Sequence, residues 1–182
     1  MTNLVANPSF ETNLTGWGDI TLTRVSTASK VGSYSVYANQ AVTGTSLMTY
    51  VVTVSPNTTY TMSTYIKTAN VAGTGGGIQV NAGGNWSAAW GETGTQDWHR
   101  KSLTFTTAAG VTSATLYIEL NGSTGEIWFD GVQLEQKGYA TTYTDGSLGV
   151  GYAWTGTAHA STSTRTAGGL VVDKDATIVG GL

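Results

Sequence analysis

Apolar and polar residues alternate along most of the first 135 positions, the period of a strand with one face in a core and one outside. In residues 59–68, Tyr60, Met62, Thr64 and Ile66 share one face and Thr61, Ser63, Tyr65 and Lys67 the other. In 76–81, Ile78 and Val80 oppose Gln79 and Asn81. In 113–121, Leu116, Ile118 and Leu120 oppose Thr115, Tyr117, Glu119 and Asn121. The pattern predicts strands over residues 2–5, 19–26, 33–38, 46–54, 59–68, 76–81, 99–106, 113–121 and 126–135. The breaks between them are turn-like: Ser55-Pro56-Asn57, the glycine run 73–77, Gly83-Gly84-Asn85 and Asn121-Gly122-Ser123. No stretch sustains helical spacing with caps. Nine strands on short turns predict an all-β fold, an antiparallel β-sandwich of two packed sheets. The apolar sets are its candidate core.

The texture changes near Gln136. Residues 138–182 are rich in Gly, Thr, Ser and Ala, and alternation returns only at 169–172 and 177–179. The chain therefore divides into a module, 1–137, and a C-terminal extension, 138–182, without a core of its own. The extension reads as a linker, a docking arm or the start of an oligomerising β region, and its terminal β-like runs make a homo-oligomer the expected assembly.

Composition narrows the function classes. The 182 residues are enough for one domain with a full core plus an appendage. Only 10% are charged, with Lys+Arg 8 against Asp+Glu 11. A nucleic-acid partner is not expected, because no basic face is available to neutralise phosphates. The absence of cysteine removes disulfides, thiolate metal sites and cysteine nucleophiles together. No charged-then-apolar leader opens the sequence, so no signal peptide is expected. No apolar run approaches the ~20 residues of a membrane span. Chemistry is equally sparse. His99 and His159 are the two histidines, and no nucleophile elbow, histidine cluster or phosphate loop appears. Glu119 and Glu126 are the one imaginable glycosidase pair, but nothing fixes their spacing across two strands. A non-enzymatic domain is expected.

Several segments then carry a resemblance. Asn3-Leu4-Val5-Ala6-Asn7-Pro8-Ser9-Phe10-Glu11 followed by Gly16-Trp17 is similar to the opening of carbohydrate-binding modules of the cellulose- and xylan-binding jelly-roll type. Gly32-Ser33-Tyr34-Ser35-Val36 resembles their third strand, and Tyr60-Thr61-Met62-Ser63-Thr64-Tyr65-Ile66-Lys67 their central one. Trp98 with Leu103-Thr104-Phe105-Thr106 resembles the next, and Ile127-Trp128-Phe129-Asp130-Gly131-Val132-Gln133-Leu134-Glu135 the closing one. The segments come in the family's order and cover residues 1 to about 136. The extension, through Ala140-Thr141-Thr142-Tyr143-Thr144-Asp145-Gly146 and Tyr152-Ala153-Trp154 onward to Arg165, resembles a segment that follows such modules in virion proteins of tailed phages. The resemblance implies a jelly roll, a glycan or cell-surface polysaccharide as partner, other virion proteins bound through the extension, and location in a virion.

It also implies sites. The related modules hold a structural Ca²⁺ between opening and closing strands, and Glu11 and Asp130 match the two carboxylate positions, with carbonyls from around Ser9 and from Lys30 to Gly32 completing the shell. The alternative is that both carboxylates bond turn amides. Sugar sites pair flat aromatic rings with amides and carboxylates. Trp86 and Trp90, in a glycine-flanked loop, are the candidate stacking residues, over a floor of Tyr65, Gln79, Asn81, Tyr117 and Glu119. The alternative is that the two indoles pack on the sandwich edge or on a neighbouring subunit. Trp17 and Trp98 match family core positions. Trp128 is either exposed or covered by the extension, which Trp154 anchors. Three roles remain open: adsorption to host glycan, structural decoration of a capsid or tail, and an accessory module of a secreted polysaccharide-degrading enzyme.

Overall fold

A computed structural model describes residues 1–166. Its strands are β1 (Thr2–Asn3), β2 (Trp17–Gly18), β3 (Thr23–Val25), β4 (Ser35–Thr53), β5 (Thr59–Ala82), β6 (Asn85–Thr106), β7 (Ser113–Glu135), β8 (Tyr152–Trp154) and β9 (Ser163–Arg165). The runs at 169–172 and 177–179 lie outside the described residues.

Four of these strands are 19 to 24 residues long. At about 3.3 Å per residue, the longest would reach roughly 80 Å if straight. A domain of this size is only about 40 Å across, so each strand bends. The bends fall where the ladder registers shift, between Gln40 and Ser46, between Thr68 and Ile78, and at the facing stretches of β6 and β7. Glycines with positive φ mark them: Gly73, Gly75, Gly91, Gly94, Gly122 and Gly125. Each bent strand serves two layers, as in sandwiches whose corners are turned by bulges. Layer I runs β3, β4 (35–40), β7 (125–135), β5 (59–69) and β6 (96–106); layer II runs β2, β4 (46–53), β7 (113–120), β5 (75–82) and β6 (85–92). All neighbours are antiparallel. This is the antiparallel sandwich that the alternation predicted, with the jelly-roll form that the resemblance implied.

The core lies between the layers. Met62, Ile66, Ile127, Phe129 and Leu134 face it from layer I, and Met48, Ile78, Leu116, Ile118 and Leu120 from layer II, all fully buried. The faces assigned from alternation hold. A Cβ added to Gly76 of layer II would collide with Ile127 Cδ1 of layer I, so the two layers touch there. The open edge at β6 is closed by an ion cluster: Glu92 accepts from Lys101 Nζ (2.6 Å), and its other oxygen is 2.7 Å from His99 Nε2. Burial pushes the Glu92 carboxyl up, but these two partners outweigh it and hold it below its ordinary value.

Three expectations are corrected. The separate segments 33–38 and 46–54, 59–68 and 76–81, and 113–121 and 126–135 are halves of continuous strands, because the glycines bend the ladder without ending it. The segment around Trp86 and Trp90 is strand, not loop. Ala82 pairs with Asn85 across Gly83 and Gly84, both at positive φ, which is a two-residue hairpin turn. Of the predicted strand 19–26, only β3 is hydrogen-bonded as strand, with β2 just before it.

The extension also departs from its reading as a separate appendage. Residues 138–166 fold back on the outer face of layer I. Thr141 N and Oγ1 donate to Glu135, Thr144 N donates to Gln133 Oε1, and Thr61 Oγ1 donates to Lys137 O. Tyr143, Thr144 and Asp145 are buried, Asp145 accepting from Ser9 Oγ and Tyr143 OH. β8 and β9 then join β1 in a small sheet, order β1-β9-β8. Trp154 anchors this segment, its indole lying over Gly146 and 4.9 Å from the His159 ring. Among the described residues no helix is long and apolar enough to cross a membrane.

Gly125 sits at φ 101°, and a Cβ there would meet Asn70 O at 2.5 Å and Val71 Cα at 2.7 Å. Both neighbours are backbone and cannot rotate aside. Gly125→Ala is expected to destabilise the fold by roughly 2–4 kcal/mol, combining left-handed strain with overpacking. Thermal melting checks this, with a fall in Tm of roughly 5–15 °C.

Candidate functional site

Layer II turns one broad face outward. Its registers set side chains in rows: Thr49, Tyr117, Gln79 and Ala88 in one, and Val51, Thr115, Asn81 and Trp86 in the next. A third row joins Leu47, Glu119 and Gly77. Trp90 extends that row, its Cε3 2.6 Å from where a Cβ on Gly77 would stand. The missing side chain at Gly77 is what lets this indole lie over the sheet. At the other end of the face Trp86 is 54% exposed, its ring 5.3 Å from that of Tyr117 and tilted by 43°. Two aromatic platforms therefore flank a strip of Gln79, Asn81, Tyr117 and Glu119. Asn81 also fixes the hairpin, accepting from Gly84 N at 2.9 Å. At the rim, Thr49 Oγ1 donates to Asp19 at 3.0 Å.

Glu119 stands out on this face. Its neighbours Ile118 and Leu120 point into the core, so its carboxyl points outward, yet it is only 5% exposed. Among the described residues it forms no side-chain hydrogen bond or ion pair, and burial raises its pKa from 4.5 to about 7. A buried carboxyl without a donor is destabilising unless something else supplies one.

The structure thus brings together six of the seven sheet-face candidates: Trp86, Trp90, Gln79, Asn81, Tyr117 and Glu119. Tyr65 does not join them. It lies in the layer I half of β5, paired with Arg100 and Asp130, with its ring against Tyr143 of the folded-back extension. The bend at 73–77 separates it from Gln79, and a chain read as separate strands does not reveal that. Glu126 is likewise on layer I, where it accepts from Tyr37 OH, so it forms no carboxylate pair with Glu119. Trp17 is core, between Phe10 and Tyr50. Trp98 is not: it is half-buried on edge strand β6 and absent from the core cluster. Trp128 is half-buried on the outer face of layer I, 4.9 Å from the Tyr37 ring. Sequence reasoning missed Gly77, hidden in a glycine run, and Asp19, which a loop rather than a strand delivers to the rim.

Glu11 and Asp130 meet at a second place, around the loop 30–34. Asp130 Oδ2 accepts from Lys30 N and Val31 N, and Oδ1 from Gly131 N, each at 2.7 Å. Glu11 accepts from Ser33 N and Tyr34 N. Burial, with a smaller contribution from the Glu11 charge, raises the Asp130 carboxyl to about 7 against the pull of its three amides. The Ser9 hydroxyl is already given to Asp145, and Lys30 meets Asp130 through its backbone N–H, so these two could offer a cation only their carbonyls. Among the described residues no cluster of three or more His, Asp or Glu side chains is arranged for a metal.

Residues 2–125 match a family described as a carbohydrate binding domain, two thirds of the chain. The chain belongs to that family. This carbohydrate-binding domain is 31% identical over 171 residues to the tRNA(Glu)-specific nuclease WapA of Bacillus subtilis subsp. natto, covering 78% of the chain but 7% of the relative. It is 28% identical over 139 residues to Exochitinase 1 of Streptomyces olivaceoviridis, covering 76% of the chain and 22% of that enzyme. The chain thus spans a small part of the curated relatives it matches. Among solved structures, TmCBM61 in complex with β-1,4-galactotriose superposes with a TM-score of 0.59 at 18% identity, over 74% of this chain and 99% of that one. The enzymatically active domain of bacteriophage CBA120 tailspike protein 4 gives 0.59 at 16% identity, over 74% and 21%. These likenesses establish the jelly roll.

Because burial raises the folded-state pKa of Glu119, the folded domain holds this proton more tightly than the unfolded chain does. Its contribution to stability is full below about pH 4.5 and is lost as the pH rises through about 7. The carbohydrate-binding domain is expected to lose more Tm between pH 5 and pH 8 than its Glu119→Gln variant, which carries no charge there. Equal losses in the two melting series would refute the assignment.

Proposed function

We propose that the outer face of layer II binds a glycan, stacking sugar rings on Trp90 and Trp86 and hydrogen-bonding hydroxyls to Gln79, Asn81, Tyr117 and Glu119. The observation that carries this reading is Glu119, a nearly buried carboxyl with no donor among the described residues, in the row that Trp90 extends. A sugar hydroxyl supplies that donor, and a flat C–H face suits the indoles. The residues on this face can bind and orient. The match to a carbohydrate binding domain supports a binding role for this face.

The domain's setting is part of the proposal. We place it on a phage particle, presented in many copies to host-surface polysaccharide, so that weak single sites add to firm adsorption. The resemblance of the segment after residue 138 to phage virion proteins and the likeness to a tailspike domain support this. On this reading other virion proteins and like copies of the chain are its partners. A second reading, an accessory module of a larger enzyme, is favoured by the relationship to an exochitinase.

A broad array of glycans and cell-wall polysaccharides tests the site. Trp90→Ala and Glu119→Gln are each expected to weaken binding at least tenfold with the fold intact, and Trp86→Ala to weaken it less, because that ring is at the margin. Unchanged binding in the first two variants would remove the face from consideration.

Calcium belongs to the same proposal. The two carboxylates repel, Asp130 is buried, and among the described residues no Lys or Arg is paired with either carboxylate, which fits a divalent cation held by Glu11, Asp130 and loop carbonyls near Ser9 and Lys30. Bound there it would supply charge neutralisation and tie the opening segment to the closing strand. EGTA is expected to lower the Tm of the wild-type domain and to leave Glu11→Gln unchanged. A wild-type Tm indifferent to both chelator and added Ca²⁺ assigns the carboxylates to the loop amides alone.

A further inference from the structure

A cleft of about 350 Å³ lies where the folded-back segment meets β9, lined by Met1, Lys137, Tyr139, Thr141 and Arg165. It adjoins layer I, across the sandwich from Trp90 and Glu119. Seven of the eight Lys and Arg residues are described. Arg24 donates to the Phe10 and Glu11 carbonyls, and Arg100 to Thr141 O and Ser63 Oγ. Lys67 pairs with Asp97, and Lys101 with Glu92. Lys30 sits over the Tyr65 ring. Among the described residues three cations, Lys30, Lys137 and Arg165, make no side-chain hydrogen bond or ion pair, and Lys137 and Arg165 both line this one cleft. Glu135, which lines an adjoining pocket with Lys137, is buried and accepts from Thr141 N, Thr141 Oγ1 and Gln133 Nε2. It forms no ion pair with Lys137 or Arg165.

Tyr139 completes the arrangement. It is 63% exposed, with Lys137 Nζ 5.3 Å from its ring centroid. An exposed ring beside two unpaired cations, one of them a planar guanidinium, matches a ligand with a flat apolar face and an acid group at its edge. We propose that this cleft is a second saccharide site, selective for a sugar unit bearing an anionic group, carboxylate or phosphate ester. It requires neither the layer II face nor calcium.

Affinity electrophoresis of the full chain tests it, in gels containing polygalacturonate, a poly(glycerol phosphate), neutral galactan or poly-glutamate. Polygalacturonate is expected to retard the wild type, and Lys137→Gln/Arg165→Gln to weaken that retardation at least tenfold. Trp90→Ala retains it in full, which separates this site from the one on layer II. A Tyr139→Ala variant weakens retardation by the polyuronate without changing the charge. Retardation by the phosphate polymer alone assigns the anion as phosphate, and the Lys137/Arg165 variant must abolish it. Three results overturn the proposal: no retardation by either anionic glycan, equal retardation by poly-glutamate, or equal weakening by the control Lys67→Gln.

Discussion

Everything in this domain depends on four strands too long to run straight. A 24-residue strand must bend to fit inside the sandwich, and it bends where glycine allows positive φ and where no Cβ blocks the facing layer. Each bend hands the same strand from one layer to the other, so the layers are tied covalently at four places along one side. At the β6 edge, Glu92, Lys101 and His99 tie them electrostatically. The broad face of layer II is a product of this folding. It contains the second half of β5 and the first half of β6, joined by a two-glycine hairpin, and those halves deliver Gln79, Asn81, Trp86 and Trp90 together.

The glycines shape the chemistry as well as the path. Gly77 leaves a gap that one indole fills, and this brings Trp90 close over the sheet in the row of Glu119. A larger residue at that position would lift the ring away. The face is thus built by subtraction as much as by the side chains that line it. The burial of Glu119 has the same character: a carboxyl that has no donor among the described residues is a local destabilisation that a ligand can relieve.

Much of this was legible in the chain. Period-2 alternation identified the core faces of β5 and β7 and the outward set Gln79, Asn81, Tyr117 and Glu119, because burial of one face leaves a strict periodic trace. The bends were not legible. A glycine run that bends a ladder reads the same as one that ends a strand, so Tyr65 was grouped with Gln79 although the corner sends them to opposite layers. Trp86 and Trp90 were placed in a loop because glycines flank their segment on both sides; pairing with β5 makes it strand. The fate of residues 138–166 was hidden for another reason. Their contacts, such as Thr144 to Asn3 and Asp145 to Ser9, are polar and distant in sequence, and hydrophobic periodicity carries no record of them.

The small sheet β1-β9-β8 has a mechanical corollary. Met1 N donates to Arg165 O and Arg165 N to Met1 O, each at 2.8 Å, so the two ends of the described chain lie side by side. They meet near layer I, across the sandwich from Trp90. A longer polypeptide entering at one end and leaving at the other would pass through a single spot, with the domain hung from it like a pendant. Its indole-bearing face would look away from the point of suspension, and tension along the parent chain would load the short β1–β9 ladder before it reached the sandwich.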